Sequence, residues 1–251
     1  MSFAGLEWWP VEPSSPLVSN ESTAPLSPKE AAGRESVKFI KSGQVVGLGT
    51  GSTVEWFLVA LAERIQKEGL EVRGVPTSTA TAERAKDLGI PISSLEQDPV
   101  LDVTVDGADE VDPAFRLIKG GGGALLREKI VANSAQKVVI VIGAGKKVET
   151  LGSTFLLPVE VIPFGHQVTE LQIADIGCQP FLRTLENGEA FITDNGNYIF
   201  DCQFDGGIEN PEEAHSLLSQ LPGVAENGIF LDLCDVVVEG LEGGETVVEE
   251  K

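Results

Sequence analysis

Two hydrophobic rhythms divide this chain. From Val54 to Ile65, the apolar residues Val54, Phe57, Leu58, Leu61 and Ile65 share one helical face, and Gly69 ends the run. Upstream, SPKEAAGRESVKFIKSG predicts a helix. Ser27 caps it, Pro28 takes the first helical position, Glu30 completes a capping box and Gly43 stops it. The short apolar runs QVVGLG, VRGV, LDVTVDGAD and KVVIVIG predict buried strands, with STATAERAKDLG and GALLREKIVANSA as helices between them. Strands alternating with helices imply a parallel sheet covered on both faces. Ligands of such sheets gather at the carboxyl ends of the strands. Each polar motif of this half, GTGST, PTSTAT, DGAD and GAGK, follows such an end.

After Leu151 the rhythm changes. LPVEVIP reads as a strand, His166 to Ile176 as a helix, and EAFITDNGNYIFDCQF as a hairpin turning at Asp194–Asn197. NPEEAHSLLSQL is a helix capped by Asn210 with Pro211 next, and GIFLDL is another strand. This β-α-β-β-α-β order is ferredoxin-like. DVVVEG then returns to the first sheet. The fold class expected is α/β: a Rossmann-like parallel sheet domain with a second, smaller ferredoxin-like α+β domain. The expected division is 27–154 plus 231–251 for the first and 155–230 for the second. Residues 1–26 read as a disordered or extended tail, rich in Pro and Ser, in which Trp8 and Trp9 offer an alternative docking element.

Composition narrows the function. The first residues carry no basic segment and no apolar run, so they do not read as a secretory signal, and no apolar stretch approaches a membrane span. Three widely spaced cysteines (Cys178, Cys202, Cys234) and two histidines (His166, His215) give no metal-type spacing and little material for a Ser–His–Asp triad. A net charge of −21 argues against nucleic acid as a partner. Yet from Arg116 to Lys147 seven basic residues (Arg116, Lys119, Arg127, Lys129, Lys137, Lys146 and Lys147) face a single acid, Glu128. A positive island in an acidic chain points to a small anionic ligand.

The glycine loops sharpen this. GLGTGST lacks the third glycine of a dinucleotide fingerprint, because position 52 is serine; GAGKK has Ile140 where a P-loop needs its first glycine. What remains at Thr50, Gly51, Ser52 and Thr53 is a short loop opening a helix, whose amides and hydroxyls suit an anion. In KGGGGALLREK, Gly120, Gly121 and Gly122 let main-chain amides approach a ligand closely, and Lys119 adds a cation at the same mouth. Glu128 stands about one and a half turns into the next helix. Near that positive end it is expected to stay ionised at neutral pH, the state a proton-abstracting base requires. Asp106 and Asp109 end a strand. They cap a turn, bind a cation, or hydrogen-bond substrate hydroxyls; the surrounding lysines favour the last.

The motifs GLGTGST, VDGADEVD, KGGGGALLREKI, LPVEVIPFG, TDNGNYI and PGVAENGIF, in that order, resemble those of type A ribose-5-phosphate isomerases over about Ser27 to Glu239. The resemblance implies interconversion of D-ribose 5-phosphate and D-ribulose 5-phosphate in the non-oxidative pentose phosphate pathway. It implies no metal or cofactor, a cytoplasmic location, and a homodimer or dimer of dimers. It places substrate among Thr50–Gly51–Ser52–Thr53, Asp106–Gly107–Ala108–Asp109 and Lys119–Gly120–Gly121–Gly122. The proton acceptor falls on Glu128 and a further substrate-contacting lysine on Lys146. The chain departs from the family pattern at Gly143 and Gly145, where an aspartate and a hydroxyl residue are usual. The rival readings are another sugar-phosphate enzyme on a related fold, such as a deaminase or a coenzyme A transferase, and a non-catalytic sugar-phosphate sensor. A deaminase is expected to enlist histidine, and a sensor has no use for a base.

Overall fold

The structure is a computed structural model that describes residues 25–251. The tail reading of residues 1–26, with Trp8 and Trp9, lies outside the described residues except at its last two positions. In chain order the elements are α1 (Pro28–Ser36), β1 (Val45–Leu48), α2 (Val54–Glu68), β2 (Arg73–Pro76), α3 (Thr79–Asp87), β3 (Val103–Gly107), β4 (Glu110–Val111), β5 (Leu117–Ile118) and α4 (Leu125–Asn133). There follow β6 (Val138–Ile142), β7 (Leu157–Val161), α5 (His166–Ala174), β8 (Gln179–Leu182), β9 (Tyr198–Gln203), α6 (Pro211–Ser219), β10 (Val224–Asn227), β11 (Ile229–Phe230), β12 (Val236–Gly240) and β13 (Thr246–Glu250).

A six-stranded sheet runs β13-β12-β6-β3-β1-β2, parallel throughout except for β13. Its middle is apolar on both faces. Val139 and Val141 of β6 join Phe57, Leu58 and Leu61 of α2, while Val138, Ile140 and Ile142 join Ala132 of α4 and Phe230. That is why VVIVI is an unbroken apolar run rather than an alternating one. β13 was not anticipated, because TVVEE is a mostly exposed edge strand with little apolar signal.

The second sheet runs β10-β7-β9-β8, wholly antiparallel, as expected for a ferredoxin-like unit. Ile173 of α5 and Ala214 and Leu218 of α6 pack on Leu157, Val159, Val161 and Phe200, making a core of its own. A small third sheet, β11-β5-β4, takes β4 and β5 from the stretch between β3 and β6 and β11 from the stretch between β10 and β12.

Three boundaries differ from expectation. The first helix ends at Ser36 and passes into a 3-10 turn, Val37–Phe39, well before Gly43. β9 pairs with β7 and with Gln179–Leu182, not with the stretch before the turn; residues 190–193 lie outside the sheet, with Thr193 bonded to the buried Glu160. The last strand of the small unit is Val224–Asn227, and GIF belongs to the third sheet. Gly228 makes that switch. Its N–H donates to Pro158 O (2.8 Å) and its carbonyl accepts from Lys119 N (2.9 Å), so that a side chain there would strike the Lys119 carbonyl.

Candidate active site

β1, β3 and β5 end beside the start of α4, and this convergence builds the site. Asp106, the fourth residue of β3, is buried with its Oδ1 accepting from Thr50 N–H (3.0 Å) and Gly107 N–H (2.8 Å). The carboxylate lies so close to Gly49 that any Cβ there would collide with it, which explains a glycine at the end of β1. Oδ2 stands 3.1 Å from Lys119 Nζ. The ammonium also donates to Gly107 O (2.5 Å), lies 3.3 Å from Glu128 Oε2 and sits 5.4 Å from the centre of the Phe230 ring. The three side chains are each at most 5% exposed.

Two carboxylates therefore share one ammonium away from bulk water. Burial, then the Asp106 charge, pushes the Glu128 carboxyl up to about 8, with Lys119 opposing. Burial raises Asp106 as well, against the pull of Lys119 and two amides. Burial disfavours the Lys119 ammonium, but the Asp106 and Glu128 charges outweigh it and hold its pKa above that of an ordinary lysine. This corrects the expectation that Glu128 stays ionised at neutral pH. The helix does begin close by, and Glu128 lies in its first turn. Desolvation and a second carboxylate outweigh the helix end.

The walls are polar. Thr50 Oγ1 meets Thr77 Oγ1 (2.7 Å), Ser78 Oγ (2.9 Å) and Thr81 Oγ1 (3.1 Å), and Thr81 returns a bond to Gly49 O (2.9 Å). Ser78 also caps α3. Gly51 is exposed and Ser52 and Thr53 half-buried at the start of α2. Asp109 is half-exposed; its Oδ2 accepts from Gly121 N–H (2.8 Å) and its own N–H donates to Ile118 O (2.8 Å). Gly107 and Ala108 form the floor between the two aspartates, both half-buried. In the glycine loop, Gly121 and Gly122 are exposed, while Gly120 and Gly123 take positive φ (110° and 80°) and are buried. Asp112, the third acid of the DGADEVD run, accepts from Ala114 N–H and Arg116 and closes a turn away from this cluster.

Residues that motif reading missed hold the site from afar. Lys129, next to Glu128, grips Asn227 O (2.6 Å) and Ile229 O (2.9 Å), the carbonyls flanking Gly228, and so anchors the strand that receives the Lys119 amide. Asp194 accepts from Thr79 N–H (2.7 Å) at the start of α3 and from Arg127 (3.2 Å) on α4. It fastens the TDNGN turn of the small unit to both. Their partners lie far away along the chain, so no local pattern announces them.

The positive island largely dissolves in three dimensions. Arg116 pairs with Asp112 and Glu212, Arg127 with Asp194, Lys129 with Glu226, Lys137 with Glu250, and Lys147 with Glu239 and Glu249. Lys146 has no ion pair among the described residues. It lies over the Phe155 ring (5.7 Å), and its carbonyl accepts from Val111 N–H (2.9 Å), so it is held without the two family residues absent at Gly143 and Gly145. Among the described residues, no group of three or more His, Cys, Asp or Glu is arranged to hold a metal ion, and no helix is long and apolar enough to cross a membrane.

Known proteins match both sequence and fold. The profile of ribose 5-phosphate isomerase A (phosphoriboisomerase A) matches residues 73–244. A ribose-5-phosphate isomerase A of Parvibaculum lavamentivorans is 48% identical over 227 residues, covering 88% of this chain and 97% of its own. A solved D-ribose-5-phosphate isomerase in complex with phospho-erythronic acid superposes with a TM-score of 0.85 at 39% identity, covering 89% of this chain and 97% of its own. The ribose 5-phosphate isomerase of Plasmodium falciparum gives 0.86 at 36% identity over 89% and 97%. The chain belongs to the ribose-5-phosphate isomerase A family.

Proposed function

We propose that this chain interconverts D-ribose 5-phosphate and D-ribulose 5-phosphate through a cis-enediolate, with Glu128 as the base. The observation that carries the reading is the buried trio Asp106–Lys119–Glu128 beneath three small-residue loops. The phosphate lies against the amides and hydroxyls of Gly51–Thr53 at the start of α2, with Lys146 as the neighbouring cation. Asp109 handles the ring oxygen or hydroxyl that opens the sugar. Its Oδ1 has no protein donor among the described residues, whereas both oxygens of Asp106 are engaged.

Glu128 takes the proton from C2 of the aldose or C1 of the ketose and returns it to the adjacent carbon, while the hydroxyl proton passes between O2 and O1 of the enediolate. Negative charge moves to the oxygen, where the Lys119 ammonium and glycine-loop amides receive it; loss of one such donor typically costs about 3 kcal/mol in the barrier. The electron pair stays on the substrate, so the reaction needs no cofactor. Within this reading the chain works in the cytoplasm as a homodimer or dimer of dimers. The exposed Phe164, Val168 and Leu171 on and before α5 support self-association.

The test is direct. Purified chain given ribose 5-phosphate should form ketose, with the rate unchanged by a chelator, and should sediment as a dimer or larger. No ketose would reject the reading, and activity lost to chelator and restored by a divalent cation would reject the metal-free mechanism.

A further inference from the structure

The glycine loop is gripped from outside the catalytic cluster by one arginine of the small unit. Arg183 directly follows β8. Its Nε and Nη2 meet the two carboxylate oxygens of Asp201 in β9 (2.9 and 2.5 Å), and its Nη1 donates to Gly120 O (3.0 Å) and Gly121 O (3.2 Å). The backbone of Arg183 is fixed as well, donating to Ile199 O (2.8 Å) and accepting from Phe191 N–H (2.9 Å). The Phe191 ring lies 5.8 Å from the guanidinium and fills the space beside Gly123 where a side chain would stand. The arginine side chain is 15% exposed.

A trans peptide unit points its N–H opposite its C=O. Turning the Gly120 carbonyl to Arg183 therefore aims the Gly121 N–H the other way, where it meets Asp109 Oδ2 at 2.8 Å. Turning the Gly121 carbonyl to Arg183 aims the Gly122 N–H away from the small unit. That N–H has no protein acceptor among the described residues, and Gly122 faces the Thr50 methyl across the mouth of the site. The loop's own turn, Gly123 N–H to Gly120 O (3.0 Å), ties down only the first of these carbonyls, and consecutive glycines alone would leave the Gly121–Gly122 unit loosely held.

We infer that Arg183, braced by Asp201, is a positioning residue of the isomerase: its hold on the Gly120 and Gly121 carbonyls presets the Gly121 amide on Asp109 and the Gly122 amide toward the oxygen that gains charge. It touches neither substrate nor the reacting atoms. The inference rests on the isomerase reading.

The experiment compares wild type with Arg183→Met, Arg183→Lys and Asp201→Asn, reading kcat, KM and binding of two probes by calorimetry. Misplaced donors act in the transition state, so Arg183→Met is expected to lower kcat about 10- to 100-fold while KM stays within about threefold. Lysine cannot span Asp201 and two carbonyls at once, so Arg183→Lys recovers only part of the loss. Phospho-erythronic acid, whose carboxylate presents negative oxygens to the loop, should bind more weakly by a factor comparable to the kcat loss. Inorganic phosphate should bind as to wild type.

Wild-type kcat and phospho-erythronic acid affinity in folded Arg183→Met would overturn the inference, even if its melting temperature fell. Should Arg183→Met fail to fold, Arg183→Lys and Asp201→Asn decide by the same readouts. A wild-type chain inactive on ribose 5-phosphate sinks the isomerase reading and this inference with it. Active wild type with unaffected variants sinks this inference alone.

Discussion

At the scale of single residues, the site turns on how many charges can share one dry cavity. Lys119 balances one carboxylate, and Asp106 and Glu128 both lean on it. Burial, then the Asp106 charge, pushes the Glu128 carboxyl up to about 8. A base must be deprotonated to act, so kcat/KM of the free enzyme should rise with pH and level off above about 8. Burial is the larger cause of the shift and the Asp106 charge the second, so Asp106→Asn should move the inflection to lower pH without returning it to an ordinary glutamate value. A pH–rate profile of the two proteins checks this; an inflection that stays put, or moves upward, contradicts the assignment. The identity of these residues was legible in the chain, because Asp106, Lys119 and Glu128 stand at a strand end, a loop mouth and a helix start. Their ionisation was not. Proximity to a helix end is local information, whereas burial and the charge of a carboxylate on β3 are not.

At the scale of elements, the loop Lys119–Gly123 depends on neighbours from the small unit. Gly123 has φ 80° and the Phe191 ring occupies the place of its Cβ. Gly123→Ala meets both obstacles, a left-handed backbone worth about 1–2 kcal/mol and a steric clash besides. It should lower the melting temperature and turnover together, as thermal unfolding and the ribose 5-phosphate assay would reveal. Unchanged stability and activity would mean that the loop is not held as described. The helices were the most readable elements, since Ser27, Ser78 and Asn210 each cap the helix they precede and Gly69 ends α2 in a left-handed conformation. Short strands were the least readable. Ile229–Phe230 is an apolar fragment that fits either sheet, and only the close passage of Gly228 past the Lys119 carbonyl decides which one.

At the scale of the molecule, two sheets with separate cores meet where the chemistry lies. We propose the division 27–154 with 231–251, and 155–230, on those separate cores. The larger unit supplies the acids and the anion loop at strand ends and the base in the first turn of α4. The antiparallel unit supplies Arg183, Phe191 and Asp194, which steady those loops. The alternation of strands and helices made the first sheet legible, and the β-α-β-β-α-β order made the second. The seven-residue positive island pointed to an anionic ligand, but the pairing of most of its charges was not legible, because partners such as Glu212, Glu226, Glu239 and Glu249 lie about a hundred residues away along the chain. The proposed isomerisation depends on Glu128 carrying a proton between two carbons. Isomerisation of ribose 5-phosphate in deuterated water, followed by proton NMR on wild type and Glu128→Gln, tests it most directly. Wild type should place deuterium on the carbon next to the carbonyl; Glu128→Gln should be folded yet turn over at least about a hundredfold more slowly, with exchange falling in step. Turnover and exchange near the wild-type level in Glu128→Gln would contradict it.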